Sequence, residues 1–383
     1  MKFRCRLLVL SFLLFLTAAP VSANTYEIRV LITEHQTQLL VSAKAEYQIR
    51  SLPTLTVIKK GKGLVNFPVQ PSARGVKVGN EEFAVRGVRV ETGESRDLML
   101  GSAHFRGAVD ILKDPQGSLY AVNRLDLEQY LYGVLPYEVA FWWPMEGLKA
   151  QAVAARTYAL YQMSVSHALE FDVKNTTSSQ VYGGTMKERY RTNLAVDKTR
   201  GQALLYQNKV FPAYFHATCG GVTAAASELW KIDIPPLAGK VVCNYCRISP
   251  HWKWDSRVPL ADIEEKLNQN GRPIGRVLNV EPVTSTPSGR VGSLKIVGAG
   301  GEAVIAAKDF RVWLGGDRIR STFFSILVDD DTAVFEGKGW GHGVGLCQWG
   351  TLGQAILGKH YTEILKLYYP GADISSAESA KKP

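Results

Sequence analysis

The segment from Leu127 to Leu160 constrains this chain most, because two helical periodicities stand on either side of a proline. Asp126 can cap the first helix, and Pro144 suits the first position of the second. The first helix carries its apolar residues on one face: Leu127, Tyr130, Leu131 and Val134. The second repeats small residues at helical spacing: Ala152, Ala155 and Ala159. The segment therefore predicts two closely packed helices inside a larger core.

The rest of the chain predicts an α+β fold. Short β-type runs such as YEIRVLI, LTVIKK and EEFAVRGVRVE, separated by Gly, Pro and Asn, predict a β-rich N-terminal region over residues 24–105. This region has no cluster of residues suited to catalysis, so packing or partner docking is its expected role. Residues 106–370 predict a mixed core, with a hairpin turn at 114–117 and helices over 260–268, 309–314 and 353–369. The small, polar tail at 371–383 predicts disorder.

The first 23 residues have the organisation of a secretory signal peptide. A basic start precedes the apolar run Leu7–Leu16, and small residues end at Ala23. Cleavage there would leave 360 residues (383 minus 23) and lower the net charge from +10 to about +7. We expect an exported protein of the periplasm or cell envelope, with no nucleic-acid partner. The mild positive charge suits an anionic cell wall or membrane surface, and ordinary solubility accounts for it equally well.

Glu138 is the first candidate for acid/base chemistry. The sequence predicts that it lies in a loop between the two helices, among large apolar residues such as Leu135 and Trp142. An apolar environment disfavours a carboxylate, so the pKa of Glu138 should rise and the group could hold a proton near neutral pH. Two other acids, Glu128 and Glu146, fall in first helical turns, where a negative charge favours the helix dipole. We interpret both as structural.

Polar residues in three places are candidates for binding a substrate. Arg156 points inward from the second helix, and either a buried ion pair or a site role would satisfy it. The loop TTSSQVYGG could bind sugar hydroxyls, or it could be a turn bonded to itself. Glycines between Gly337 and Gly350 would allow close backbone approach, or would form a tight turn around a core tryptophan. The candidate side chains of these two segments are Ser178, Ser179, Gln180, Tyr182, His342, Gln348 and Trp349.

Four cysteines follow the signal peptide, and three of them combine with a histidine in a metal-like spacing. His216-x-x-Cys219 and Cys243-x-x-Cys246 offer one imidazole and three thiolates, the donor set of a closed structural zinc site. His251 is a possible substitute for His216. The alternative is a disulfide from Cys219 to Cys243 or Cys246, which an oxidising compartment would favour.

Four motifs in order resemble the SpoIID/LytB family of bacterial cell-wall proteins: EQYLYGVLPYE with EGLKAQAVAARTYAL, then TTSSQVYGG, AYFHATCGG and GWGHGVGLCQWG. The resemblance implies a peptidoglycan lytic transglycosylase with Glu138 as its acid. This glutamate would protonate the bond between N-acetylmuramic acid and N-acetylglucosamine and then take the C6 hydroxyl proton, leaving a 1,6-anhydro end. The family also has a histidine at the position of His216, which could face the active site instead of a metal. Three residues differ from those most common in the family motifs: Tyr137, Val139 and Cys347.

Two other functions remain open from the sequence. A non-catalytic member of the LytB type would bind peptidoglycan and stimulate a separate N-acetylmuramoyl-L-alanine amidase. An envelope scaffold would bind a partner protein through the β-rich region. The retained Glu138 and the whole motif set favour the enzyme. Its expected partners are glycan strands, which the resemblance implies are stripped of stem peptides, together with a cell-wall amidase or other envelope proteins.

Overall fold

The computed structural model describes residues 26–93 and 98–380, so the predicted signal peptide at 1–23 lies outside the described residues. The N-terminal part forms an eleven-stranded sheet. Its strands β1 to β11 span, in chain order, Glu27–Gln36, Leu39–Leu52, Val57–Pro71, Val76–Val78, Glu81–Phe83, Gly87–Thr92, Leu98–Leu100, Ala103–Phe105, Ala108–Lys113, Leu119–Asp126 and Val173–Lys174.

The order of these strands crosses the boundary predicted at residue 105. It runs β11–β1–β10–β9–β6–β2–β3–β4–β5, with β7 paired to β2 and β8 paired to β7. The hairpin predicted around residues 114–117 is confirmed as β9–β10, but it pairs with β6 and β1 of the N-terminal region. Val109, Ile111 and Leu119 join the same core as the earlier strands. The sheet therefore continues to Asp126, and no unit begins at residue 106.

Three helices pack against this sheet: α1 (Leu127–Glu138), α2 (Met145–Val165) and α3 (Tyr190–Lys198). The Asp126 carboxylate accepts hydrogen bonds from the backbone N–H groups of Glu128 and Gln129 at 3.0 and 3.2 Å, which confirms the predicted cap. Helix α2 begins directly after Pro144. Its small residues Ala152, Ala155 and Ala159 are fully buried, so α2 lies close to the neighbouring elements.

Glu138 is the last residue of α1, and its predicted location in a loop is wrong. The predicted helix ends at Val134, and Pro136 lacks the N–H group that an interior helical position donates. The helix continues because Leu135 and Val139 are both buried and the Val139 N–H bonds to the Leu135 carbonyl at 3.0 Å. Packing of this last turn outweighs the local effect of the proline and holds Glu138 on a helix.

A second unit with its own core interrupts the chain after three short strands, β12 (Gln202–Tyr206), β13 (Lys209–Val210) and β14 (Phe215–His216). We call it the insertion unit. Its elements are β15 (Lys253–Pro259), α4 (Leu260–Gln269), β16 (Val277–Ser285), β17 (Val291–Gly298), β18 (Gly301–Ala306), α5 (Ala307–Leu314), β19 (Phe324–Asp329) and β20 (Thr332–Lys338). Lys253 pairs with Lys338, so the chain enters and leaves this unit at neighbouring positions.

The chain ends with β21 (Leu346–Cys347), α6 (Gln348–Ile356), α7 (Tyr361–Tyr368) and β22 (Asp373–Ser376). The single closing helix predicted over 353–369 is thus two helices, because Gly358 at φ 79° ends the first. The disorder predicted for the tail is wrong at β22, which pairs antiparallel with β12 and is followed by the buried Ala377. Residues 381–383 lie outside the described ranges. Within those ranges, no helix has the length and apolar character needed to cross a bilayer.

Candidate functional site

The candidate site is a cleft of about 430 Å³ where the end of α1, the TTSSQVYGG loop, β14 and the glycine-rich segment before α6 meet. These elements contain all four motifs singled out in the sequence. The side chains and glycine that line it are Tyr137, Glu138, Tyr158, Thr177, Ser178, Ser179, Val181, Tyr214, Phe215, His216, Ala217, Trp230, Arg311, Trp340, Gly341, His342 and Gln348. One member, Arg311, comes from the insertion unit.

Glu138 is the one carboxylate among the described residues that line the cleft. Gln348 donates a hydrogen bond from Nε2 to Glu138 Oε2 at 3.2 Å. Burial raises the pKa of the Glu138 carboxyl, while the hydrogen bonds from Gln348 and from the Val181 backbone oppose part of that rise. The group thus combines access to the cleft with a tendency to stay protonated, which is what a general acid needs.

Two histidines from different motifs lie side by side in the cleft wall. The ring centroids of His216 and His342 are 5.5 Å apart. His216 donates from Nδ1 to the Val344 carbonyl at 3.1 Å, and His342 Nδ1 accepts from the Val344 N–H at 3.1 Å. Burial lowers the pKa of His342 to about 4, and burial, His342 and Arg290 lower the pKa of His216 well below its usual range. Among the described residues, His216 Nε2 has no hydrogen-bond partner. It is a buried acceptor on a side chain that lines the cleft.

Aromatic side chains form much of the remaining wall. Tyr214 and Trp230 stack with centroids 4.4 Å apart, and Tyr158 lies beside Tyr214 at 5.9 Å. Trp340 adds a further indole from the glycine-rich segment. Flat aromatic faces next to hydroxyl-bearing residues suit a ligand with both apolar faces and polar edges.

Sequence reasoning missed these aromatic residues and Arg311. Tyr214 and Trp340 lie within two of the four motifs, so their position beside other candidate residues was a signal for both. Trp230 and Arg311 come from segments without such a motif. Only the fold brings them to the cleft.

The TTSSQVYGG loop divides between the cleft and the core. Ser178 and Ser179 line the cleft, as predicted, whereas Gln180 and Tyr182 are almost fully buried. Gln180 accepts from the Tyr130 hydroxyl at 3.2 Å and donates to the Ala155 carbonyl at 3.3 Å, and the Tyr182 hydroxyl donates to Asn123 at 2.8 Å. The alternation of the extended loop sends these two side chains inward. These two side chains, predicted to bind substrate, thus anchor the loop in the core and do not line the cleft.

Arg156 also belongs to the core and not to the cleft. Its Nε and Nη2 atoms bond to the two carboxylate oxygens of Glu128 at 2.8 and 2.7 Å, and the Arg156 side chain has no exposed surface. Further bonds go to the carbonyls of Val196 and Gln202. Every direction of the guanidinium is thus occupied by protein. Of the two roles left open by the sequence, the structure supports the ion pair.

Gln348 and Trp349 are adjacent in sequence, but only Gln348 lines the cleft. Gln348 is in the cleft, but the Trp349 ring packs edge-on against Trp143 at 6.3 Å, outside the lining. Consecutive residues at a helix start point in different directions, so Trp349, predicted to bind substrate, does not line the cleft. The glycines before them are required by close packing. A Cβ on Gly345, at φ 72°, would lie 2.0 Å from the Tyr214 carbonyl.

Four buried cysteines, which we call the cysteine cluster, lie beside the cleft: Cys219, Cys243, Cys246 and Cys347. Their sulfur atoms all lie within 4.8 Å of one another, and Cys219 and Cys246 approach to 3.5 Å. Of the predicted ligand set, the structure brings Cys219, Cys243 and Cys246 together with Cys347, whereas His216 lines the cleft. His251, the substitute, packs on Trp340 at 4.4 Å instead. All four thiols are free of disulfide bonds.

A larger groove of about 940 Å³ lies on the N-terminal sheet. Its charged residues include Arg89 and Arg124, and both pair with Asp110 at 2.6 Å. Charges that neutralise one another in this way fit a solvated sheet surface. The smaller cleft, with its perturbed carboxyl and histidines, is the better candidate for chemistry.

Comparisons with known proteins show which proteins this chain is similar to. The family model described as Stage II sporulation protein matches residues 115–206, which contain Glu138, and a model for a domain of unknown function matches residues 245–345, close to the insertion unit. An uncharacterised protein of Brachyspira hyodysenteriae is 35% identical over 92% of this chain and 94% of its own length. Stage II sporulation protein D of Bacillus subtilis is 31% identical over 68% of this chain and 77% of its own.

A further relative is the amidase enhancer of Bacillus subtilis, 28% identical over 64% of this chain. The match covers 40% of the length of that protein. The fold and the cleft define an α+β protein with one carboxyl among the described residues that line a cavity of about 430 Å³. The chain belongs to the SpoIID family.

Proposed function

We propose that this protein is a peptidoglycan lytic transglycosylase that cleaves the bond between N-acetylmuramic acid and N-acetylglucosamine. The observation that carries the proposal is the single carboxyl of the lined cleft, Glu138, whose pKa is raised by burial. Glycoside hydrolases of the usual type need two placed carboxyl groups, one for the leaving oxygen and one for water or the sugar. A transglycosylase that closes an internal ring can use one group for both steps.

The two steps follow from the protonation state of Glu138. In the first, the protonated carboxyl gives its proton to the glycosidic oxygen, and the bond from that oxygen to the muramyl C1 breaks. In the second, the resulting carboxylate takes the proton of the muramyl C6 hydroxyl, and that oxygen bonds to C1. The glutamate is protonated again at the end, and no water is consumed. Gln348 holds one carboxyl oxygen at 3.2 Å and orients the group between the steps.

The other walls of the cleft support a glycan as the ligand. Tyr214 and Trp230 offer stacked aromatic faces for the apolar side of a sugar ring. Ser178 and Ser179 offer hydroxyls, and His216 Nε2 offers an acceptor that no described residue uses. The resemblance to the sporulation branch further suggests strands stripped of stem peptides. A secreted location in the cell envelope follows from the same proposal, because peptidoglycan lies outside the cytoplasm.

The test replaces Glu138 with Gln, which keeps the shape of the side chain and removes the acidic proton. Release of saccharides with 1,6-anhydro-N-acetylmuramic acid ends from purified glycan strands, measured by mass spectrometry, should fall by a factor of about 10² to 10⁴. Glu146→Gln is the matched control, because Glu146 bonds Lys149 and the Tyr361 N–H at the start of α2 and should leave turnover near wild type. Retained release by the Glu138 variant would contradict the proposal.

A second candidate function rests on the relative named amidase enhancer. In that reading the cleft binds glycan without cleaving it, and the bound protein stimulates a cell-wall amidase. Wild type and Glu138→Gln would then stimulate a purified amidase equally, and neither would release anhydro-ended saccharides. The transglycosylase predicts that wild type releases these saccharides and that Glu138→Gln does not, so one set of digests separates the candidates.

A further inference from the structure

The cysteine cluster has the geometry of a metal site. Four thiolates around zinc, with bonds of about 2.3 Å, place neighbouring sulfurs roughly 3.8 Å apart in a tetrahedron. The observed sulfurs, all within 4.8 Å of one another, match that spacing. A disulfide requires sulfurs about 2.05 Å apart and joins only two of them. Four convergent, fully buried sulfurs are the donor set of a closed structural site.

Neighbouring groups donate hydrogen bonds to the sulfurs, as they do around bound thiolates. The backbone N–H groups of Cys219 and Gly350 lie 3.3 and 3.4 Å from Cys347 Sγ. The Tyr368 hydroxyl lies 3.1 Å from Cys243 Sγ. Donors of this kind stabilise negative charge on sulfur and orient it toward a metal.

Arg290 gives an independent sign of negative charge at the cluster. Its guanidinium is almost fully buried, and Nη2 donates to the Cys219 and Val222 carbonyls at 2.7 and 3.0 Å. Among the described residues, its Nε and Nη1 atoms have no hydrogen-bond partner and no carboxylate lies within ion-pair distance, although Glu228 acts at longer range. A buried cation needs a compensating charge. Zinc with four thiolates carries about −2 and would supply it.

We propose that Cys219, Cys243, Cys246 and Cys347 bind one zinc ion, and that this ion holds the catalytic side of the cleft in place. Cys347 is the N-cap of α6, and the next residue is Gln348, which bonds Glu138. Cys347 also pairs with His216 across the β14–β21 bridge. Cys243 and Cys246 come just before the insertion unit. The ion would thus join α6, β14 and the base of that unit.

The metal content of three proteins tests the ligand set. The chain is purified without chelator, and zinc is measured by plasma mass spectrometry in wild type, Cys347→Ser and the matched control His216→Asn. We expect about one zinc per chain in wild type and in His216→Asn, and a fall of tenfold or more in Cys347→Ser. Wild type with two disulfides by intact mass and no zinc, or bound iron in its place, would overturn the proposal. So would loss of zinc from His216→Asn alone.

Two further measurements protect the test against a variant that fails to fold. Cobalt added to metal-stripped wild type should give the visible bands of a tetrahedral tetrathiolate, whereas a site with a nitrogen ligand would refute the set. Chelation should speed hydrogen exchange in the first turn of α6 and leave exchange in the strands β9 and β10 unchanged. If the first turn of α6 exchanged at the same rate with and without chelator, the link between the ion and Gln348 would be refuted. Only that link rests on the proposed function. Zinc in an inactive protein would sink the function and leave the site standing.

Discussion

Replacing Glu128 by Gln tests the strongest electrostatic feature of the core. The substitution keeps the size of the side chain but removes the charge that faces Arg156, whose Nε and Nη2 lie 2.8 and 2.7 Å from the carboxylate. The Arg156 side chain has no exposed surface, so water cannot replace the lost partner. Breaking one side of a buried pair costs about 3–5 kcal/mol. That is a large share of the ~5–15 kcal/mol by which a domain is stable.

Equilibrium urea unfolding, followed by far-UV circular dichroism, measures this loss. Hydrogen exchange of the α1 and α2 amides assigns the transition to the core that contains the pair. The matched control is Asp329→Asn, which breaks the Arg257–Asp329 pair, with 62% and 59% of the two side chains exposed. We expect the control to change the free energy of unfolding by no more than about 0.5–1 kcal/mol.

The double variant Glu128→Leu, Arg156→Met extends the test. It removes both charges, so it should be less destabilised than Glu128→Gln or Arg156→Met alone. Two results would refute the reasoning. One is a Glu128→Gln protein within about 1 kcal/mol of wild type. The other is an Arg156→Met protein that keeps its stability but loses glycan binding, which would return Arg156 to the role first considered for it.

Two further predictions concern the cleft and the loop beside it. The folded pKa of His342, about 4, lies below its usual 6.5, so the unfolded chain binds the proton first as pH falls. Wild type should therefore lose up to about 3 kcal/mol more than His342→Gln between pH 6.5 and 4, measured by urea unfolding at each pH, and parallel curves would contradict this. Gln180→Ala should lower the free energy of unfolding by about 1–3 kcal/mol, because Tyr130 and Ala155 lose their buried partner. Gln348→Ala should instead keep stability and slow glycan turnover, and equal stability losses in both would refute the division between core and cleft.

Local sequence patterns predicted much of the fold and singled out Glu138, the carboxyl that lines the cleft. The cap at Asp126, the hairpin at 114–117 and the helices α4 and α5 all follow from interactions within a few residues along the chain. The four motifs placed Glu138 in a family that fixes where a catalytic acid would be. The predicted end of α1 failed because a proline acts locally, whereas the burial of Leu135 and Val139 depends on distant parts of the chain.

Tertiary structure alone decided which polar residues face the cleft. Ser179 and Gln180 are adjacent in sequence and similar in chemistry, yet one lines the cavity and the other bonds inside the core. His216 and Cys347 show the same dependence, because they are far apart in the chain and become neighbours only across β14–β21, where the sulfur joins the cysteine cluster and the imidazole lines the cleft. Sequence spacing fixes which groups are available. The direction of each side chain depends on packing between segments that only meet when the chain folds.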